Sequence, residues 1–154
     1  MNYTSATRGH WLVAIGAIVI VGSTMLQWWQ IGGGPGELPQ RSGVGISDGP
    51  VFFLMFLVSV ASLLLVTLPF ASERPIAIDH PVAYLALFAT ITIGYFWQLI
   101  SLAQVQLKPW PVVQTQRLPW PPQRGVGLWL AAVGLVLFAR GVFEVFEERR
   151  RRLY

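Results

Sequence analysis

The chain contains no cysteine, and its 154 residues include only eleven basic and seven acidic side chains. The missing cysteine excludes disulfide scaffolds, thiolate metal centres, iron–sulfur clusters and cysteine nucleophiles. Charged residues make up 12% of the chain, against roughly 25% in ordinary globular domains. That shortage, with the apolar content below, excludes a disordered chain and a typical soluble enzyme. Histidine occurs twice, as His10 and His80, and asparagine once, as Asn2. In their place stand 54% hydrophobic and 13% aromatic residues. This is the composition of an integral membrane protein.

The few charges also avoid long stretches. No Asp, Glu, Lys or Arg lies between Arg8 and Glu37, Asp48 and Glu73, Asp79 and Lys108, or Arg124 and Arg140. A hydrocarbon core about 30 Å thick takes about 20 apolar residues as a helix. Backbone groups in lipid must be satisfied internally, so the spans are read as helices. They are expected at residues 10–29, 50–70, 81–103 and 125–146. The alternating ~10-residue segments of a membrane β-barrel are lacking. The fold class expected is an all-α integral membrane protein: one domain over 1–154, four antiparallel transmembrane helices, and a basic tail at 147–154. Val21-Gly22-Ser23 has the small residues of a signal-peptide cleavage site, but the apolar run outlasts a signal h-region of about 7–15 residues, so an uncleaved first helix is expected.

An even number of spans puts both termini on one side. That side carries Arg8, Arg74 and Arg149 to Arg152; the other carries Arg41, Lys108, Arg117 and Arg124. The positive-inside rule places both termini in the cytoplasm, which implies a cell (inner) membrane. The short connection near residues 71–80 makes spans two and three antiparallel neighbours.

Two outer loops of about twenty residues each remain. The first, IGGGPGELPQRSGVGISDG, is read as a turn-rich surface loop, since no Gly-Lys-Ser/Thr follows its glycines. The second contains Pro-Trp-Pro twice, at 109–111 and 119–121. Proline holds such a segment extended. Pro109, Trp110, Pro119 and Trp120 are therefore candidates for docking another subunit, because rigid aromatics anchor interfaces. They serve equally as headgroup-level anchors, together with Trp28, Trp29 and Trp97.

Small residues mark candidate packing faces. Ala83, Ala86, Thr90, Gly94, Gln98 and Ser101 share one face of the third helix; Gly127, Ala131, Gly134, Phe138 and Gly141 share one face of the fourth. Small residues let helix backbones approach closely in lipid, so helices three and four are expected to pack through these faces. The second helix, with Phe52, Phe53, Phe56, Leu57 and Leu63 to Leu65, reads as lipid-facing or as a surface for pigment or lipid tails.

Candidates for chemistry are few. Arg140 and Glu144 lie one turn apart and are expected to pair. His10 and His80 open helices and could ligate a haem iron or a chlorophyll magnesium, but they stand at the rim, where polar helix starts are the simpler reading. No metalloprotease, hydrolase or Walker pattern occurs, so no catalytic residue and no metal ligand is assigned. Uncharged midplanes argue against a pump, an ion-coupled transporter or a voltage sensor. Arg149, Arg150, Arg151 and Arg152 follow a span directly and read as a tail anchor on anionic headgroups, not as a nucleic-acid site.

The expected function is a non-catalytic structural or accessory subunit of a larger membrane complex. Its partners would be other integral membrane subunits and lipids, with no nucleic acid. No cofactor is expected, bound lipid or pigment being the exception. The alternatives are a pigment- or haem-binding subunit of a photosynthetic or respiratory complex, and a small transporter or channel. In topology alone the chain resembles many small bacterial membrane proteins, a likeness that assigns no residue a role.

Overall fold

The computed structural model describes residues 7–31, 41–45, 49–71, 81–107 and 123–152. Within them are four helices: α1 (Arg8–Thr24), α2 (Pro50–Ala71), α3 (Pro81–Leu107) and α4 (Val126–Arg152). Three strands accompany them: β1 (Gln27–Ile31), β2 (Arg41–Val44) and β3 (Gln123–Arg124). Pro50 and Pro81 occupy the first helical positions of α2 and α3, where a missing N–H costs nothing and φ is already helical. Helices α2, α3 and α4 are long and apolar enough to cross a membrane; α1, with 17 residues, is shorter.

The first expected span is the one the structure cuts short. Its residues 10–29 read as one helix, but α1 stops at Thr24 and Trp28 and Trp29 lie in β1. The local causes are visible. Ser23 Oγ donates to the Ile20 carbonyl at 2.6 Å, and Thr24 Oγ1 donates to the Val21 carbonyl at 2.7 Å. Such back-bonds compete with the helical ladder. The backbone then tightens, with Met25 N–H donating to Gly22 O and Leu26 N–H to Ser23 O, both at 3.1 Å. The aromatic pair that follows suits a strand.

The sheet is the second departure from an all-α expectation. Its order is β2-β1-β3, antiparallel throughout. Strand β2 lies in the first outer loop, which was expected to lack regular structure, and β3 closes the second. Trp29 pairs with Gly43 on one side and with Arg124 on the other, so the start of α4 is tied to the end of α1 through β1.

Helix α1 packs against α4 and α2, and α3 packs against α2 and α4. The α1–α4 contact is by far the most intimate. A Cβ built on Gly16 would stand 2.7 Å from Phe138 N and 2.8 Å from Gly134 O. One on Gly134 would meet Gly16 O at 3.0 Å, one on Gly141 would meet Gly9 O at 2.8 Å, and one on Gly127 would meet Ser23 O at 2.8 Å. The chains therefore run antiparallel and touch at three levels: Gly9 with Gly141, Gly16 with Gly134, Ser23 with Gly127.

These contacts correct the expected pairing of helices three and four. The face carrying Gly127, Ala131 and Gly134 is buried, but its glycines meet α1. On α3, Ala86 is exposed and Thr90 is half-buried, donating to the Ala86 carbonyl at 2.9 Å. Gly94 faces α2, where its Cβ would lie 2.9 Å from Met55 Cγ. The reason is that α1 presents a matching small series of its own, Gly9, Gly16 and Ser23 at seven-residue spacing, which lets two backbones meet.

Gly16→Ala is therefore expected to destabilise the protein by ~1–3 kcal/mol through overpacking against backbone. Gly22, on the same helix, has nothing within 4 Å of its built Cβ. Gly22→Ala should be neutral or stabilising by up to ~1 kcal/mol, since glycine is a poor helix former. Thermal unfolding in detergent measures both, and equal losses would reject the α1–α4 contact.

Candidate functional site

The described residues hold two polar or aromatic constellations, one at each end of the α1–α4 pair. The first centres on Trp28. The β1–β2 register shifts between Gln27 and Trp29, so the ladder is irregular at Trp28, and an irregularity of this kind re-aims a side chain. Its indole is fully buried, with Nε1 donating to Ser23 O at 2.8 Å. Phe52 of α2 meets it edge-on at 4.6 Å between centroids, and Tyr95 of α3 at 6.0 Å. Gly45 and Gly127 leave room for the ring: a Cβ on either would come within 3.0 Å of it. Gly45 N–H donates to Leu26 O at 3.1 Å, and Gly125 N–H to Trp28 O at 2.8 Å. One side chain thus joins α1, the sheet, α2, α3 and the start of α4. The reading of Trp28 as a headgroup-level anchor is corrected: its ring is core, because the bulge turns it inward. Trp97, by contrast, is 62% exposed.

The second constellation lies at the opposite end. Arg140 Nε donates to Glu144 Oε1 at 3.1 Å, the pair expected from their spacing. The structure adds Arg8, whose Nε lies 3.7 Å from Glu144 Oε2. One carboxylate therefore bridges α1 and α4. The Arg140 guanidinium also stands 5.8 Å from the centroid of the Phe143 ring. Sequence spacing could place Arg140 with Glu144, but Arg8 required the register of α1 against α4.

His10 belongs to the same end. Its Nδ1 is 2.6 Å from Thr7 Oγ1, and its ring stands edge-on to Tyr84 of α3 at 5.7 Å. It ties the start of α1 to α3. His80 falls outside the described residues, as do Pro109, Trp110, Pro119 and Trp120. Helix α4 continues through the arginine tail to Arg152, and Arg151 pairs with Glu147 at 3.9 Å.

Between the two ends the buried polar groups are hydroxyls held by their own helices. Ser59 donates to the Met55 carbonyl at 2.7 Å and Ser62 to the Val58 carbonyl at 2.8 Å. Among the described residues no buried side-chain polar atom lacks a partner, and no three His, Cys, Asp or Glu gather to hold a metal. No protein-family model, curated protein or solved structure matches the chain.

Trp28→Ala should cost ~3–5 kcal/mol, the range for deleting a buried aromatic. Trp28→Phe should cost less, but should still lose ~0.5–1.5 kcal/mol with the indole hydrogen bond to Ser23 O, a carbonyl that Leu26 N–H continues to reach. Trp97→Ala should stay within about 0.5 kcal/mol, as exposed positions do. Denaturation midpoints of the three variants in one detergent check this order, and a Trp97→Ala loss matching that of Trp28→Ala would refute it.

Proposed function

We propose that this protein is a multi-pass component of a cell (inner) membrane and serves there as a non-catalytic accessory subunit of a larger membrane complex. In this reading α1 to α4 form an antiparallel four-helix bundle that crosses the bilayer, with both termini cytoplasmic and the sheet on the outer side.

One observation carries the reading: the outward faces are apolar on every helix. Trp11, Ile15 and Ile18 on α1, Phe53, Leu57 and Leu64 on α2, Ile93, Phe96 and Ile100 on α3, and Trp129, Val133 and Val136 on α4 are all exposed. A surface of this kind around several helices suits lipid or a protein partner, not water. The 17 residues of α1 rise about 26 Å, and the exposed Met25 and Leu26 prolong its apolar surface toward the thickness of a bilayer core. A described interior without ionised groups supports an assembly role over transport, since transport pathways use intramembrane charges.

Docking is assigned to the Pro-Trp-Pro loop. Replacing Trp110 and Trp120 together by alanine is expected to release the protein from its complex, because each large anchor at a hot spot is worth about 2 kcal/mol or more. Membrane insertion should be unchanged, as the apolar spans are untouched. Affinity purification from solubilised membranes reads the result; undiminished co-purification of partners by the double variant would remove the docking role. A reporter fused after Tyr154 should report cytoplasm and a tag near Gln114 the outside. A visible absorption band in the purified protein would favour a pigment or haem subunit instead.

A further inference from the structure

We infer that the outer seam between α1 and α4, at the Arg8–Glu144–Arg140 cluster, is a docking site for one anionic phospholipid. The inference rests on the membrane reading above and adds to it a ligand of stated charge.

The two arginines come from different helices and flank a single carboxylate. Their contacts to Glu144 both run through Nε. The side chains of Arg8 and Arg140 are 82% and 60% exposed, and that of Glu144 is 12% exposed. One carboxylate balances one of two guanidiniums, so the cluster keeps a surplus positive charge at the surface. A guanidinium carries five N–H donors, and its fork matches a phosphate, so a single Nε contact leaves capacity for a phosphodiester. Glu144 in this arrangement sets the spacing of the two cations.

The surface beside the cluster fits the rest of such a molecule. On α1 the exposed Arg8 and Ile15 each precede a glycine that faces α4, Gly9 and Gly16, with the half-buried Leu12 and Val19 nearer the contact. On α4 the exposed Val133 and Arg140 stand in the same relation to Gly134 and Gly141, with the half-buried Leu130 and Leu137 nearer the contact. Each helix therefore carries one arginine beside the seam and, seven residues toward the sheet end, one exposed apolar side chain. These positions border one seam, since each adjoins a glycine that faces the other helix and both arginines reach the same carboxylate. A phosphate on the guanidiniums would leave an acyl chain to run past Leu12, Ile15, Leu137 and Val133 toward the sheet end. Charge complementarity and this continuous apolar track select an anionic phospholipid over a free anion, which has no use for the track. The tail arginines are a separate feature: Arg149 lies nine residues beyond Arg140, about 14 Å along the helix.

The test is thermal unfolding of the full chain, purified in an uncharged detergent, with added phosphatidylglycerol, phosphatidylcholine or inorganic phosphate. Phosphatidylglycerol should raise the midpoint of the wild type by several degrees more than the other two. Arg8→Gln with Arg140→Gln should abolish that difference, and Arg8→Gln alone, a change at the most exposed residue of the cluster, should reduce it. Arg149→Gln with Arg150→Gln removes the same two charges and should retain it. An equal response to phosphatidylcholine or inorganic phosphate, a difference that survives in the Arg8/Arg140 variant, or equal loss in the tail variant would each overturn the site. Release of the protein from membranes by alkaline wash would overturn the membrane reading as well, whereas retention in membranes without a phosphatidylglycerol preference overturns the lipid site alone.

Discussion

The contact on which the rest of the structure depends is backbone against backbone, between α1 and α4. Gly9, Gly16 and Ser23 on one helix meet Gly141, Gly134 and Gly127 on the other, and each series repeats every seven residues. Two helices sharing that period keep one face toward each other along their length. In lipid, apolar side chains gain little from meeting one another, because the acyl chains are equally apolar. There, close van der Waals approach would have to supply the association, and small residues allow it. The register set here fixes both ends of the molecule at once. At one end it brings Ser23 O to the Trp28 indole and lets β3, which leads into α4, pair with β1, which leaves α1. At the other it places Glu144 between Arg140 and Arg8.

Much of this was legible in the sequence, and the parts that were not have a common physical cause. Charge-free runs disclosed the places of four helices, because lipid-length apolar segments leave few other solutions. Glycine spacing disclosed the buried face of α4. The partner of that face was misassigned to α3, because Ala86, Thr90 and Gly94 follow the spacing of a small-residue stripe equally well. The competing series on α1 contains only two glycines and a serine amid Val, Ile and Ala, so it stands out only once Gly127, Gly134 and Gly141 are seen to repeat with the same period. The early end of α1 had a signal in Ser23-Thr24 followed by Gln-Trp-Trp-Gln, but hydrophobicity hid it: Trp28 and Trp29 are apolar enough to extend a span and aromatic enough to build a strand. Pairing across the sheet joins residues as far apart as Trp29 and Arg124, and no local pattern encodes such a partnership.

The two ends of the α1–α4 pair use polar chemistry in opposite ways. Around Trp28 the indole and backbone hydrogen bonds described are neutral and turned inward. The indole takes up a carbonyl left at the end of α1, and strand and turn hydrogen bonds take up others. Such an end loses little by being dry, since unpaired backbone groups are what make burial costly. At the arginine end the polar groups are ionised and turned outward, where long side chains can reach the headgroup region while their stems stay in the apolar layer. A chain inserted in one direction would use this difference: the sheet end can pack against a partner or lie at the interface, whereas the arginine end demands water or anions.

That asymmetry also bears on why the described interior offers so little chemistry. Ser59 and Ser62 could have lined a polar path between α2 and its neighbours, yet each hydroxyl is committed to a carbonyl one turn earlier in its own helix. A serine bonded in this way satisfies its polar atom without requiring a second group opposite, so it can be buried against apolar neighbours at small cost. Phe88 stacked on Phe138 at 5.9 Å, and Met55 seated against Gly94, fill the space between helices with apolar atoms. A polar ligand crossing there would have to separate these side chains and would find no ionised group to receive it among the described residues. Whatever the protein recognises is therefore best sought on its exterior: in the apolar faces of the helices, in the arginine seam, and in the loops at the sheet end.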